Sequence, residues 1–154
     1  MKITEYPVMP TRYSEELMDW FGIMDEAQFY AESGRSNRRF FRRLIAAWTK
    51  KAGCFLEWGV GGVSLCARID GKKVEACSLA PQCQLAHTRD HIMLTRATCL
   101  QRTDKDRAER REQQICAAAG SLAEIGSTRI DIAEPGSLSR ENQETLIQAL
   151  VDFP

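Results

Sequence analysis

The sequence predicts an α+β domain: N-terminal helices, an antiparallel β-meander at about 54–79 with further strands, and two C-terminal helices packed on the sheet. Three observations predict it. Phe40, Phe41, Leu44, Ile45 and Trp48 recur at helical spacing and form one apolar stripe. After Gly53 the apolar period changes to two, broken by the turn signals Gly61-Gly62 and Asp70-Gly71. Beyond Asp104 the helical period returns. The 154 residues are read as one domain spanning 1–154.

In chain order, Ser14 is a candidate cap for a short helix through Phe21. Asp25 and Gln28 have capping-box spacing for a second helix ending near Gly34. Ser36 is the expected start of a third helix, running to about Ala52 and stopping at Gly53. Residues 54–60, 63–70 and 73–78 then alternate. A two-residue turn at Gly61-Gly62 would set Trp58 opposite Leu65 and Leu56 opposite Ala67. A turn at Asp70-Gly71 would set Ala67 opposite Val74 and Leu65 opposite Ala76. Both turns place the same apolar set on one face, which a one-residue slip would throw to solvent. His91 to Gln101 reads as a fourth strand. A long helix follows from an Asp104 cap to about Ile125, turning Ile115, Ala118, Leu122 and Ile125 inward. Thr128, Ile130 and Ile132 suggest a fifth strand. Ser139 caps a final helix with Leu146, Ile147, Leu150 and Val151 inward.

The composition, 44% hydrophobic and 27% charged, excludes wholesale disorder and collagen-like repeats. No run of about 18 apolar residues is present, so no spanning helix and no membrane partner is expected. The first residues lack the apolar core of an export signal, so the six cysteines are expected reduced and the protein cytoplasmic.

Lys plus Arg and Asp plus Glu are 21 each, but the balance is local. Residues 1–34 hold seven acids against two basic residues, whereas 35–51 hold seven basic residues and no acid. With the apolar stripe of that helix facing inward, Arg35, Arg39, Arg42, Arg43 and Lys50 project outward, and Arg38 lies at the border. Arg38 and Arg39 fall in the first turn, where cations oppose the helix dipole at a cost of a few tenths to about 1 kcal/mol. Three readings compete: neutralisation by the acidic segment 15–32 within the chain, an anionic macromolecule, or a small anion. The acidic flanks would repel a long duplex, which favours an acidic protein surface over nucleic acid. On this reading Phe40, Phe41, Leu44 and Trp48 support the contact residues from below.

Cys77, Cys83, His87 and His91 follow the pattern C-x5-C-x3-H-x3-H. If 83–91 were helical, Cys83, His87 and His91 would share a face and Cys77 would complete a tetrahedral zinc site. This implies an alternative, a zinc-stabilised nucleic-acid-binding module. Otherwise no cofactor is expected.

No phosphate-binding loop, dinucleotide glycine fingerprint, nucleophile elbow or zinc-protease motif is present, and no catalytic residue is assigned. The element order loosely resembles the acetyl-CoA-dependent N-acyltransferases. In that family a strand-to-helix loop of the form Q/R-x-x-G-x-G/A holds the pyrophosphate. Here Gln101-Arg102-Thr103-Asp104-Lys105-Asp106 has Asp at both glycine positions, where side chains would crowd phosphate and their charge repel it. The resemblance implies an acyltransferase-like enzyme with a degenerate loop. The residues themselves favour a non-catalytic macromolecule-binding protein (an adaptor, secretion chaperone, regulator or inhibitor) that engages an anionic partner through the basic helix.

Overall fold

A computed structural model describes residues 22–82, 89–100 and 104–153. Among the described residues, four α-helices and a six-stranded sheet follow in the order α1 (Glu26–Glu32), α2 (Arg35–Thr49), β1 (Cys54–Trp58), β2 (Val63–Ile69), β3 (Lys72–Ala80), β4 (His91–Thr95), α3 (Lys105–Ala119), β5 (Ala123–Ile125), β6 (Arg129–Ala133) and α4 (Arg140–Val151). The architecture is α+β, as the periodicities predict. The helix placed at Ser14–Phe21 lies outside the described residues.

Every strand pair is antiparallel, and the spatial order is β1-β2-β3-β4-β6-β5. The chain leaves β4 through α3, returns at the sheet edge as β5, and turns back to insert β6 beside β4. One face carries Leu65, Cys77, Leu79, Ile92, Leu94, Ile130 and Ile132. They form a single core with Phe40, Phe41, Leu44 and Trp48 of α2, Ile115 and Ala118 of α3, and Leu146, Ile147 and Leu150 of α4.

The meander keeps its predicted faces but changes register. Trp58 pairs with Val63, Leu56 with Leu65 and Cys54 with Ala67, because the connection takes four residues, 59–62, rather than two. The slip is by two positions, so each side chain stays on its face. The second turn holds: Asp70 and Gly71 both have positive φ (52° and 76°), the primed geometry that suits strand twist, and Ala67 pairs with Val74. Beyond it a β-bulge intervenes. Leu65 pairs with Cys77 rather than Ala76, so Cys77 and Leu79 turn into the core and Ser78 and Ala80 to the opposite face.

Three element boundaries, two of helices and one of a strand, also depart from expectation. The basic helix α2 begins at Arg35 after Gly34, not at Ser36, and its cap has no side-chain hydrogen bond of its own. Helix α3 stops at Ala119, where Gly120 takes φ 56°, and residues 123–125 form an edge strand. Ile125, expected in the core, is therefore 56% exposed. Strand β4 ends at Thr95, and a 3-10 turn follows over Ala97–Cys99. The caps at Asp25, Asp104 and Ser139 each accept the expected backbone hydrogen bond, from Gln28, Arg107 and Asn142.

Candidate functional site

Helix α2 lies on the sheet through Phe40, Phe41, Leu44 and Trp48, all fully buried. The Trp48 indole N–H donates to the carbonyls of Phe55 (3.2 Å) and Cys66 (3.1 Å), which ties the end of the helix to β1 and β2. Burial of each such side chain contributes roughly 1.5–3 kcal/mol, so the outer face of the helix is held rigidly.

The beginning of α2 is fixed by a buried polar knot that sequence reasoning missed. Asp90, 3% exposed, accepts from the Gly34 N–H (2.6 Å) and the Asn37 side-chain amide (2.8 Å) through Oδ2, and from the Gln82 N–H (2.6 Å) through Oδ1. Asn37 also donates to Glu134 (2.6 Å) and accepts from the Gly136 N–H (2.8 Å). Asp90 thus serves as the cap that α2 lacks locally. Asp90 and Glu134 put negative charge beside the first turn, where the sequence of the helix itself has none.

The seven cations of 35–51 fall into two groups. Three are engaged within the molecule. Arg43 pairs with Glu144 and donates to Gln143 (3.3 Å), both on α4. Arg38 donates to the Ser33 carbonyl (3.1 Å). Lys51 donates to the carbonyls of Val151 and of Phe153 (2.7 Å) at the end of α4. Arg35, Arg39, Arg42 and Lys50 are exposed, and none pairs with a carboxylate among the described residues. Asp25 and Glu32, candidates for internal neutralisation, instead bond to Gln28, while Glu15 and Asp19 lie outside the described residues.

At 100° per residue the four exposed cations and Ala46 occupy one arc of about 80°, diametrically opposite the buried stripe. The row is about 22 Å long. The Arg42 guanidinium lies 4.5 Å from the centre of the Tyr30 ring, a contact that restrains it without neutralising it. Burial pushes the Tyr30 phenol above its ordinary value; Glu26 adds to the rise and Arg42 opposes it. Glu26 therefore lies near one flank of the row, as Glu144 lies on the other.

The Cys/His set is not brought together as far as it is described. Cys77 is 1% exposed within the core, and burial pushes its thiol up to about 12. His91 pairs with Ala80 and so points to the opposite face of the sheet, where its Nδ1 lies 3.0 Å from the Arg89 carbonyl. Cys83 and His87 lie outside the described residues. Among the described residues no group of three or more His, Cys, Asp or Glu is placed to hold a metal ion.

Nor are Cys66, Cys77 and Cys116 activated thiols. Burial pushes Cys66 up to about 12, helped by Glu75 and Glu57, and burial also raises Cys116. A protonated thiol is a poor nucleophile. At the start of α3, Asp104 accepts from the Arg107 N–H at 3.1 Å, so its own carboxylate sits where a phosphate-binding loop would leave backbone donors open. An open cavity of about 620 Å³ borders α3 and α4, lined by Lys51, Gln114, Thr145, Gln148 and Asp152, and its Lys51 is already engaged with the carbonyls of Val151 and Phe153.

No described helix is long and apolar enough to cross a membrane. Comparison of the chain with protein families, curated proteins and solved structures finds no match, so the reading of its site rests on the geometry above.

Proposed function

We propose that this protein is a non-catalytic, cytoplasmic macromolecule-binding protein, of the adaptor, chaperone, regulator or inhibitor kind, that engages an acidic protein surface through the outer face of α2. The observation that carries this reading is the division among its cations. Arg38, Arg43 and Lys51 are spent on internal partners, while Arg35, Arg39, Arg42 and Lys50 stand in one exposed row without a described carboxylate. The arginines expected as contacts are thereby narrowed: Arg38 and Arg43 hold the helix in place, and the exposed four meet the partner. The described cysteines are free thiols, the state that a reducing compartment maintains.

Exposed ion pairs contribute only about 0.2–1 kcal/mol each, so the row sets orientation and association rate more than affinity. Capture from lysate of the native host, with and without nuclease, tests the reading. Retention that resists nuclease, weakens with salt and disappears on combined Arg35→Glu, Arg39→Glu and Arg42→Glu substitution is the expected result. Retention unaffected by the triple reversal overturns it.

A further inference from the structure

We infer that the partner presents its carboxylates on an α-helix that lies along α2, with acids at the spacing i, i+4, i+7 and i+15 in one direction or its reverse. This rests on the proposed acidic partner and specifies its form. Four observations carry it. The exposed cations of α2 form a single row along its outer face, with no second row on that helix to follow another strand of phosphates. Carboxylates lie on both flanks, with Glu26 beside Tyr30 and Arg42 on one side and Glu144, ion-paired with Arg43, on the other. A duplex, whose charge extends across its width, would meet those carboxylates, whereas a narrow acidic stripe would not. The row also rises by helical steps, about 6 Å from Arg35 to Arg39 and about 4.5 Å from Arg39 to Arg42, the repeat of acids on one face of a facing helix. Finally, Ala46 is exposed between Arg42 and Lys50, a small residue that lets a second helix approach closely in the middle of the row.

The test uses the full chain at low ionic strength with three fluorescent probes. One is a helix-forming peptide with Glu at i, i+4, i+7, i+11 and i+15. The second has the same composition in an order that scatters the acids around the helix. The third is a DNA duplex of similar length. Four exposed pairs give a dissociation constant on the order of 1 mM at most favourable phasing, which sets the titration range. The phased peptide is expected to bind several-fold tighter than the other two and to lose binding in Arg39→Glu/Arg42→Glu. Ala46→Lys completes the row and is expected to tighten the phased peptide about two- to fivefold, with the permuted peptide unchanged.

Equal binding of the two peptides, sensitive to the double reversal, overturns the helical partner and leaves the acidic-partner reading standing. Tighter binding of the duplex, with the same sensitivity, overturns both in favour of nucleic acid. Absence of binding by all three probes across that range overturns the helical partner, and the acidic-partner reading is then decided by the capture experiment with the triple reversal.

Discussion

Asp90 and Asn37, fifty-three residues apart, share a hydrogen bond of 2.8 Å beneath the first turn of α2. Through it the start of β4 holds the start of the basic helix. Asp90→Ala removes the acceptor that the Gly34 and Gln82 N–H groups share at a part-buried site, and one of the two acceptors of the buried Asn37 amide. Such groups cost about 1–3 kcal/mol each when stranded, less whatever water relieves. We expect a net loss of about 2–4 kcal/mol in urea unfolding, with Asp90→Asn about half as costly because it keeps one acceptor oxygen. A loss under about 0.5 kcal/mol, the level of an ordinary surface change, would contradict the knot.

The same corner demands a glycine. A Cβ on Gly136 would stand 2.4 Å from the Ser36 carbonyl carbon and 2.6 Å from the Asn37 nitrogen. These are backbone atoms of α2 and cannot swing aside. Gly136→Ala should cost about 1–3 kcal/mol and lower the melting temperature measurably, while the same change at Gly71, with nothing near its Cβ, should show only the strain of its positive φ.

Arg111 behaves as a cap for α4 rather than as the solvated charge its neighbours in sequence suggest. It is 5% exposed, donates to the carbonyls of Ala149 (3.2 Å) and Leu150 (2.9 Å), and lies over the Phe153 ring. Arg111→Met should destabilise by about 2–4 kcal/mol, since it strands two carbonyls at a helix end and removes a cation from the negative pole of the dipole. Circular dichroism with urea checks this; a loss matching that of the exposed Arg110→Met variant would refute it.

Exposed and engaged arginines of α2 should separate in stability. Arg39→Glu is expected to change the unfolding free energy by no more than about 0.5 kcal/mol. A double-mutant cycle on Arg43 and Glu144 should return a coupling of about 0.2–1 kcal/mol, falling with salt. Coupling of similar size between Arg39 and any described carboxylate would remove the basis for an external partner.

Alkaline pH should weaken the fold through its buried thiols. Burial holds Cys66 and Cys77 near 12, against an ordinary value of 9.0. Below 9 both folded and unfolded chains keep these protons. Between 9 and 12 only the unfolded chain releases them, so stability present below 9 is lost as pH rises. Between pH 8 and 10.5 the wild type should lose roughly 2 kcal/mol more than Cys77→Ala. Parallel pH profiles for the two proteins would count against the burial of this thiol. In the native state at pH 8, a thiol reagent should label exposed Cys99 while sparing Cys66 and Cys77.

The sequence by itself determined the α+β class, the apolar face of α2 and the alternating meander, because each follows from a local period of side chains against a backbone repeat. It also determined three caps, which need only a residue and its third neighbour. Tertiary structure decided the rest. The bulge that turns Cys77 inward depends on how β3 meets β2. The edge strand at 123–125 depends on β6 being there to pair with. That Arg43 is spent depends on Glu144 and Gln143 arriving beside it from α4. The charges that oppose the poles of α2 and α4 come from Asp90, Lys51 and Arg111, remote in sequence and adjacent only after folding. Electrostatic balance and hydrogen-bond satisfaction are set by distance in space, and periodicity along the chain carries no record of it.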